Sequence, residues 1–180
     1  MRKLASLLLL SAFLAFFVQL HSASAQVGKS ISALVITDPE NQAKALPFVG
    51  EKVLMILYTD PDVKDVNDVL SEAVKAKHFD PSKYAGIGIA NCKDTWIPNS
   101  GIRMKARQKE KQFPGSVIML DENYILSSAW GLGDCNSTGV VVIVGKDKSI
   151  KYVKKVKAEE ESKAIVAEVI KVLENELDKL

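Results

Sequence analysis

The chain has 180 residues, 24 Lys and Arg against 22 Asp and Glu for a formal charge of +2, and 47% hydrophobic residues. That length suits one domain with a hydrophobic core of its own. A charge so close to zero leaves no electrostatic basis for nucleic-acid binding, since the phosphate backbone supplies most non-specific affinity, and nucleic acid is not an expected partner.

The N-terminus reads Met1-Arg2-Lys3, then an apolar block from Leu4 to Leu20, then Ala23-Ser24-Ala25. A basic start, an apolar block short for a membrane span and a small-residue cleavage pattern predict a secretory signal peptide over residues 1–25. A single domain is expected over residues 26–180. Losing Arg2 and Lys3 with the leader takes the formal charge from +2 to zero. No later run is both long and charge-free enough to span a bilayer, so no membrane contact is expected after cleavage.

Val27 to Thr37 reads as an extended lead-in with a short strand, closed by the Asp38-Pro39 turn signal. Asn41 to Phe48 reads as a short helix or a loop. Val53 to Tyr58 is a continuous apolar run, as a strand buried on both faces requires, and it breaks at Thr59-Asp60-Pro61-Asp62. Val63, Val66, Val69, Leu70, Ala73 and Val74 then recur at helical spacing, which predicts a helix over 61–77 with Asp60 as its N-cap and Pro61 in its first turn. Such a β-to-α junction is where α/β proteins collect ligands and chemistry.

Tyr84 to Asn91 is a second buried strand, thinned by Gly86 and Gly88. Strand, helix and strand make a βαβ unit with parallel strands and a right-handed crossover. Asn91 to Ser100 is a loop and Gly101 to Gln112 a helix, ended by Phe113-Pro114-Gly115. Ser116 to Leu120 and Tyr124 to Ser128 read as strands about an Asp121-Glu122-Asn123 turn, and Trp130 to Ser137 as a glycine-rich polar loop. Val140 to Val144 and Ser149 to Val156 form a hairpin whose lysine-bearing second strand looks like a protected edge. A final helix covers 158–180, with Glu159, Glu160 and Glu161 in its first turn and Lys179 near its end, as the helix dipole favours. Ile165, Val166, Val169, Ile170, Leu173 and Leu177 form its buried stripe.

Strand, helix, strand, helix, hairpin and returning helix is the order of the thioredoxin fold: an α/β protein with a central mixed sheet flanked by helices. The segment from Phe113 to Trp130 resembles what peroxiredoxin-like members insert before the hairpin. Several short motifs point further. They are Phe48-Val49-Gly50, Asn91 with Asp94 and Pro98, Arg103, Phe113-Pro114 with Ser116, Asp121 with Asn123, Trp130-Gly131-Leu132 and the Lys146-Asp147 turn. With these the chain resembles the YtfJ family of small periplasmic thioredoxin-like proteins from about Gly28 to Leu177. The resemblance implies a periplasmic location, and a binding role there would take a periplasmic protein or peptide as partner.

The sequence also departs from thiol chemistry. A thioredoxin-type oxidoreductase places Cys-x-x-Cys at the junction, where a helix N-terminus lowers a thiol's pKa; here Asp60-Pro61-Asp62-Val63 stands there. The proline that thioredoxins place before the hairpin is absent at Thr138-Gly139. No peroxidatic Pro-x-x-x-Thr-x-x-Cys occurs.

Cys92 and Cys135 are the only cysteines. On this fold both belong at the junction's edge of the sheet, where three readings remain open: a structural disulfide, a redox-active pair and separate thiols. His78 in a linker, with two distant cysteines, makes no recognisable metal site, and no cofactor is expected. Asp60 and Asp62 read as capping groups before an acid–base pair. Asp94 and Trp96 could contact a ligand or peptide, against the simpler reading in which Trp96 packs its loop onto the sheet. Arg103, Arg107 and Lys111 share a helix face that could hold an anion and is otherwise solvated. Asn136-Ser137-Thr138 matches a weak glycosylation pattern. The preferred function is a non-catalytic binding module in the cell envelope, using Asp60, Asn91, Asp94, Trp96, Arg103 and Trp130. The alternative is a thiol-disulfide oxidoreductase or peroxiredoxin-like enzyme with Cys92 and Cys135 as nucleophile and resolving thiol.

Overall fold

The apolar run Val53 to Tyr58 becomes an interior strand of the sheet. The structure, a computed structural model, describes residues 27–32 and 34–180, so the expected leader lies outside the described residues. The strands are β1 (Val35–Thr37), β2 (Ala43–Ala45), β3 (Val53–Thr59), β4 (Tyr84–Asn91), β5 (Val117–Asp121), β6 (Gly139–Val144) and β7 (Ile150–Val156). They form one mixed sheet in the order β2-β1-β5-β4-β3-β6-β7. The helices are α1 (Asp68–Lys75), α2 (Asn99–Gln112), α3 (Ile125–Trp130), α4 (Glu159–Ala164) and α5 (Val166–Leu177).

β3 pairs parallel with β4, and β4 parallel with β5, as crossover connections require. β6 runs antiparallel to β3, with Thr59 opposite Gly139, and β7 closes the hairpin at the edge. The ends of β3, β4 and β5 and the start of β6 therefore share one margin of the sheet.

Side chains alternate across the sheet and separate two cores. Leu54, Ile56 and Tyr58 of β3, with Ile87, Ile89, Met119, Val140 and Val142, pack against Leu126 and Trp130 of α3. Val53 and Met55, with Val141 and Ile143, face Leu70 and Val74 of α1 and Ile165, Val169 and Leu173 near and along α5. α2 covers that second face farther along, through Ile102 on Leu120. β7 ends the sheet with Lys154 and Lys155 exposed, as expected of an edge that must not recruit further strands.

Four local expectations change. Asn41 to Phe48 holds strand β2 rather than a helix or loop: Asn41 takes a left-handed conformation (φ 66°), and the Asp38 side chain accepts from the Gln42 N–H at 2.8 Å, turning the chain back on β1. The helix expected over 61–77 starts only at Asp68. Before it, the Val63, Val66 and Asp68 N–H groups each bond the carbonyl three residues back, which makes tight turns instead of an α-helix. Tyr124 to Ser128 belongs to helix α3 rather than a strand, because the Asp121 carboxylate accepts from the Ile125 and Leu126 N–H groups at 2.7 and 2.9 Å. The last helix breaks at Ile165, whose N–H bonds Ser162 three residues back.

Gly139 is where α1's approach meets the sheet: a Cβ there would stand 2.5 Å from Asn67 Nδ2 and 2.6 Å from Val66 Cγ1. Gly139→Ala is expected to destabilise the fold by about 1–3 kcal/mol, the cost of overpacking a filled site. A urea denaturation curve checks this, and an unchanged midpoint contradicts the packing described.

Candidate functional site

At the shared margin each strand ends in a carboxylate or an amide. Asp60 follows β3, Asn91 ends β4 and Asp121 ends β5. All three are buried.

Asp60 is fully engaged. One carboxylate oxygen accepts from the Asp62 N–H at 2.9 Å and the other from the Ser137 N–H at 2.7 Å, while its own N–H donates to the Thr138 carbonyl at 3.1 Å. The capping expectation fits, and the carboxylate also ties the end of β3 to the entry of β6. Its 0% exposure removes it from the expected ligand-contacting set.

Asp121 works in the same way one strand farther on. Besides heading α3, it accepts from the Tyr58 hydroxyl at 3.2 Å, and burial pushes the Tyr58 phenol upward. Asp121 entered the sequence reading as a turn residue and part of a family motif. The missed signal is an Asp a few residues ahead of an apolar run that becomes helical.

An open groove of about 460 Å³ lies beside these anchors, lined by Asp94, Tyr124, Ser127, Ser128, Gly131, Gly133, Asp134 and Cys135. Asp94 accepts from the Asn91 side-chain amide at 2.5 Å and from the Tyr124 hydroxyl. The hydrogen bond to Asp94 raises the Tyr124 phenol to about 12. Tyr124 holds a left-handed backbone (φ 56°) at the head of α3, and Gly131 ends that helix in the same region (φ 68°), where a glycine meets no side-chain penalty. Of the groove residues, the sequence pointed to Asp94 and Cys135. Asp134 fell within the Trp130-to-Ser137 loop expected at the binding edge, whereas Tyr124, Ser127 and Ser128 were not singled out, because reading 124–128 as a strand hid the face they share.

Trp96 is 85% exposed, so it does not pack its loop onto the sheet. The loop is held instead by Thr95, whose hydroxyl donates to Asp62 at 2.7 Å. Trp130 is the reverse case. It is 1% exposed as the last residue of α3, with its indole N–H unpartnered, and is a core residue rather than a contact. Arg103 pairs with Glu122 and Arg107 donates to the Pro39 carbonyl, so these two cations hold α2 to neighbouring segments instead of forming an anion site.

Cys92 and Cys135 are both free and buried. Cys92 belongs to the cluster under α2 and Cys135 to the cluster under α3, on opposite faces of the sheet. The geometry therefore does not bring them together as the disulfide or paired-thiol readings require. Burial, then the nearby Glu122 and Asp121, pushes the Cys92 thiol up to about 12 against the weaker pull of Arg103. Burial likewise pushes Cys135 up to about 11, opposed by Lys155 and reinforced by Asp94, Asp134 and Asp121. A nucleophilic cysteine needs the opposite shift. Among the described residues no group of three or more His, Cys, Asp or Glu could hold a metal ion, and no helix is long and apolar enough to cross a membrane.

Replacing Asp121 with Ala removes the cap of α3 and strands the Tyr58 hydroxyl. A loss of about 3 kcal/mol is expected from a cap and a buried hydrogen bond together, read by thermal and urea unfolding. Both thiols should alkylate in the native protein at pH 8 at least about a hundredfold more slowly than in urea, given their scarce thiolate. Near-equal rates would contradict the shifts. The unfolded chain releases these protons near pH 9 and the folded chain only nearer 11 to 12. Stability should therefore fall as pH rises through that window, less steeply when both cysteines are Ser.

A family model described as "Bacterial protein of unknown function (YtfJ_HI0045)" matches residues 49–176. An uncharacterised protein of Haemophilus influenzae is 31% identical over 93 residues, 51% of this chain and 49% of that one. The uncharacterised protein YtfJ of Escherichia coli is 30% identical over 110 residues, 59% of this chain and 58% of that one. The matches span about half the length of these curated relatives. Among solved structures, a peroxiredoxin-like protein from Aquifex aeolicus aligns with a TM-score of 0.55 at 14% identity, over 81% of this chain and 86% of that one. The exposed lipoprotein thioredoxin of Streptococcus pneumoniae aligns with a TM-score of 0.53 at 12% identity, over 83% of this chain and 100% of that one. Such likeness shows the thioredoxin-like and peroxiredoxin-like fold.

Proposed function

This chain belongs to the YtfJ family of bacterial proteins, and from that premise we propose that it is an exported, non-catalytic binding module of the cell envelope. The leader over residues 1–25 is removed, residues 26–180 act as one domain in the periplasm, and a protein or peptide partner docks at the groove beside Asp94 with Trp96 as its apolar contact.

One observation carries the reading. The position where thiol exchange would need an activated sulfur holds Asp60, a buried carboxylate with both oxygens bonded to backbone N–H groups. The thiols that exist elsewhere are buried, apart from each other and held protonated. An 85% exposed indole on a loop tied down at Thr95 supports binding, since indoles anchor interfaces and this one has no role in the core. Asn91 stands behind Asp94 and orients it, so it acts through Asp94.

The mature protein is expected to turn over neither disulfide nor peroxide substrates, and the Cys92→Ser, Cys135→Ser variant should match it. Measurable wild-type turnover lost in that variant would replace this reading with thiol chemistry centred on Cys135, the cysteine that lines the groove.

A further inference from the structure

The last hairpin concentrates charge that the chain as a whole balances. Residues 146–157 hold six lysines against one aspartate, in a chain whose formal charge is only +2. Lys151 lies between Asp147 and Glu176, and Lys155 donates to the Asp134 carbonyl. Lys146, Lys148, Lys154 and Lys157 are exposed, with no ion-pair partner among the described residues.

These lysines flank an open sheet edge. β7 is the last strand in the order, and one end of its outer side already takes an added strand from the chain itself. The lead-in runs antiparallel beside it: the Gly28 N–H donates to the Ile150 carbonyl at 2.7 Å, the Ile150 N–H to the Lys29 carbonyl at 2.9 Å and the Ile31 N–H to the Lys148 carbonyl at 2.8 Å. Beyond Ile150, none of the described residues pairs with the outer side of Tyr152 to Val156. Backbone donors and acceptors are left there without a ladder partner.

We propose that this half of β7 receives an extended, acidic segment of a protein partner, added as a further strand in line with the lead-in. Main-chain bonds hold such a strand, and side chains select it. Lys154 shares the face of Tyr152 and Val156, and Lys155 the face of Val153, so two adjacent carboxylates on the added strand each meet a lysine across the pair. Lysines keep an edge from recruiting strands indiscriminately, and here they oppose a second β7, whose own lysines would stand against them. For a carboxylate-bearing strand the same charges attract. A lipid surface fits less well, because no large hydrophobic side chain of residues 146–157 is exposed to enter it. None of these lysines lines the groove beside Asp94, and the inference does not rest on binding there.

Fluorescent, strand-forming peptides with a central pair of glutamates, glutamines or lysines would be titrated into mature protein and followed by anisotropy. The glutamate peptide should bind saturably, at least about tenfold more tightly than the glutamine peptide, with an affinity that falls as salt rises. A form methylated on the backbone nitrogens of the pair and its neighbours keeps the charge but cannot donate to β7, and should bind at least about tenfold more weakly. Lys154→Gln should weaken the glutamate peptide, whereas Lys105→Gln, an exposed lysine of α2, should leave it unchanged. Equal binding of the glutamine or methylated peptide, tighter binding of the lysine peptide, no saturable binding, or equal weakening by Lys105→Gln would each overturn the inference. So would phosphatidylglycerol vesicles that sediment the protein through Lys154 while the glutamate peptide stays free, an outcome that assigns the edge to lipid.

Discussion

The margin of the sheet depends on the Asp60 carboxylate. It receives the Asp62 N–H from the turn after β3 and the Ser137 N–H from the loop before β6, two segments far apart in sequence. A buried carboxylate is tolerable only when its oxygens are met by donors, and here each oxygen has a backbone N–H. The bond fixes the Trp130-to-Ser137 loop against the end of β3, and that loop carries Gly133, Asp134 and Cys135 to the groove. Asp121 repeats the device one strand farther, collecting Tyr58 and the head of α3. Two carboxylates thus hold in place the elements from which the groove is built.

Burial, with charge as the lesser influence, holds the thiols of this margin protonated. Burial is the larger influence on Cys135; Lys155 opposes it, and Asp94, Asp134 and Asp121 add to it.

The sequence made the sheet legible because its central strands are strong signals. Val53 to Tyr58, Tyr84 to Asn91 and Val140 to Val144 each read as buried runs, and each is a strand of the structure. Capping at Asp60 was legible from an Asp-Pro pair at a strand end. What failed was local and polar. Tyr124 to Ser128 has strand-like composition, and only a hydrogen bond from its backbone back to Asp121 makes it a helix. Ala43–Ala45 pairs as a strand through the turn set by Asp38 and Asn41, with little β-propensity of its own. The exposure of Trp96 and the burial of Trp130 could not be ranked from composition, since both sit near glycine, proline or polar residues.

The departure from thiol exchange runs deeper than the missing cysteines. In that chemistry a helix begins at the junction, and its unsatisfied N–H groups and dipole stabilise a thiolate within the first turn. Here the junction carries only one 3-10 turn over Pro61–Val63, capped by Asp60, and α1 begins at Asp68. A sulfur at residue 60 would meet only a single 3-10 turn rather than a full helix, and it would lose the carboxylate bond that holds Ser137. The margin that activates sulfur elsewhere in this fold is built here from satisfied carboxylates, leaving an acidic groove with an exposed indole on the adjacent loop.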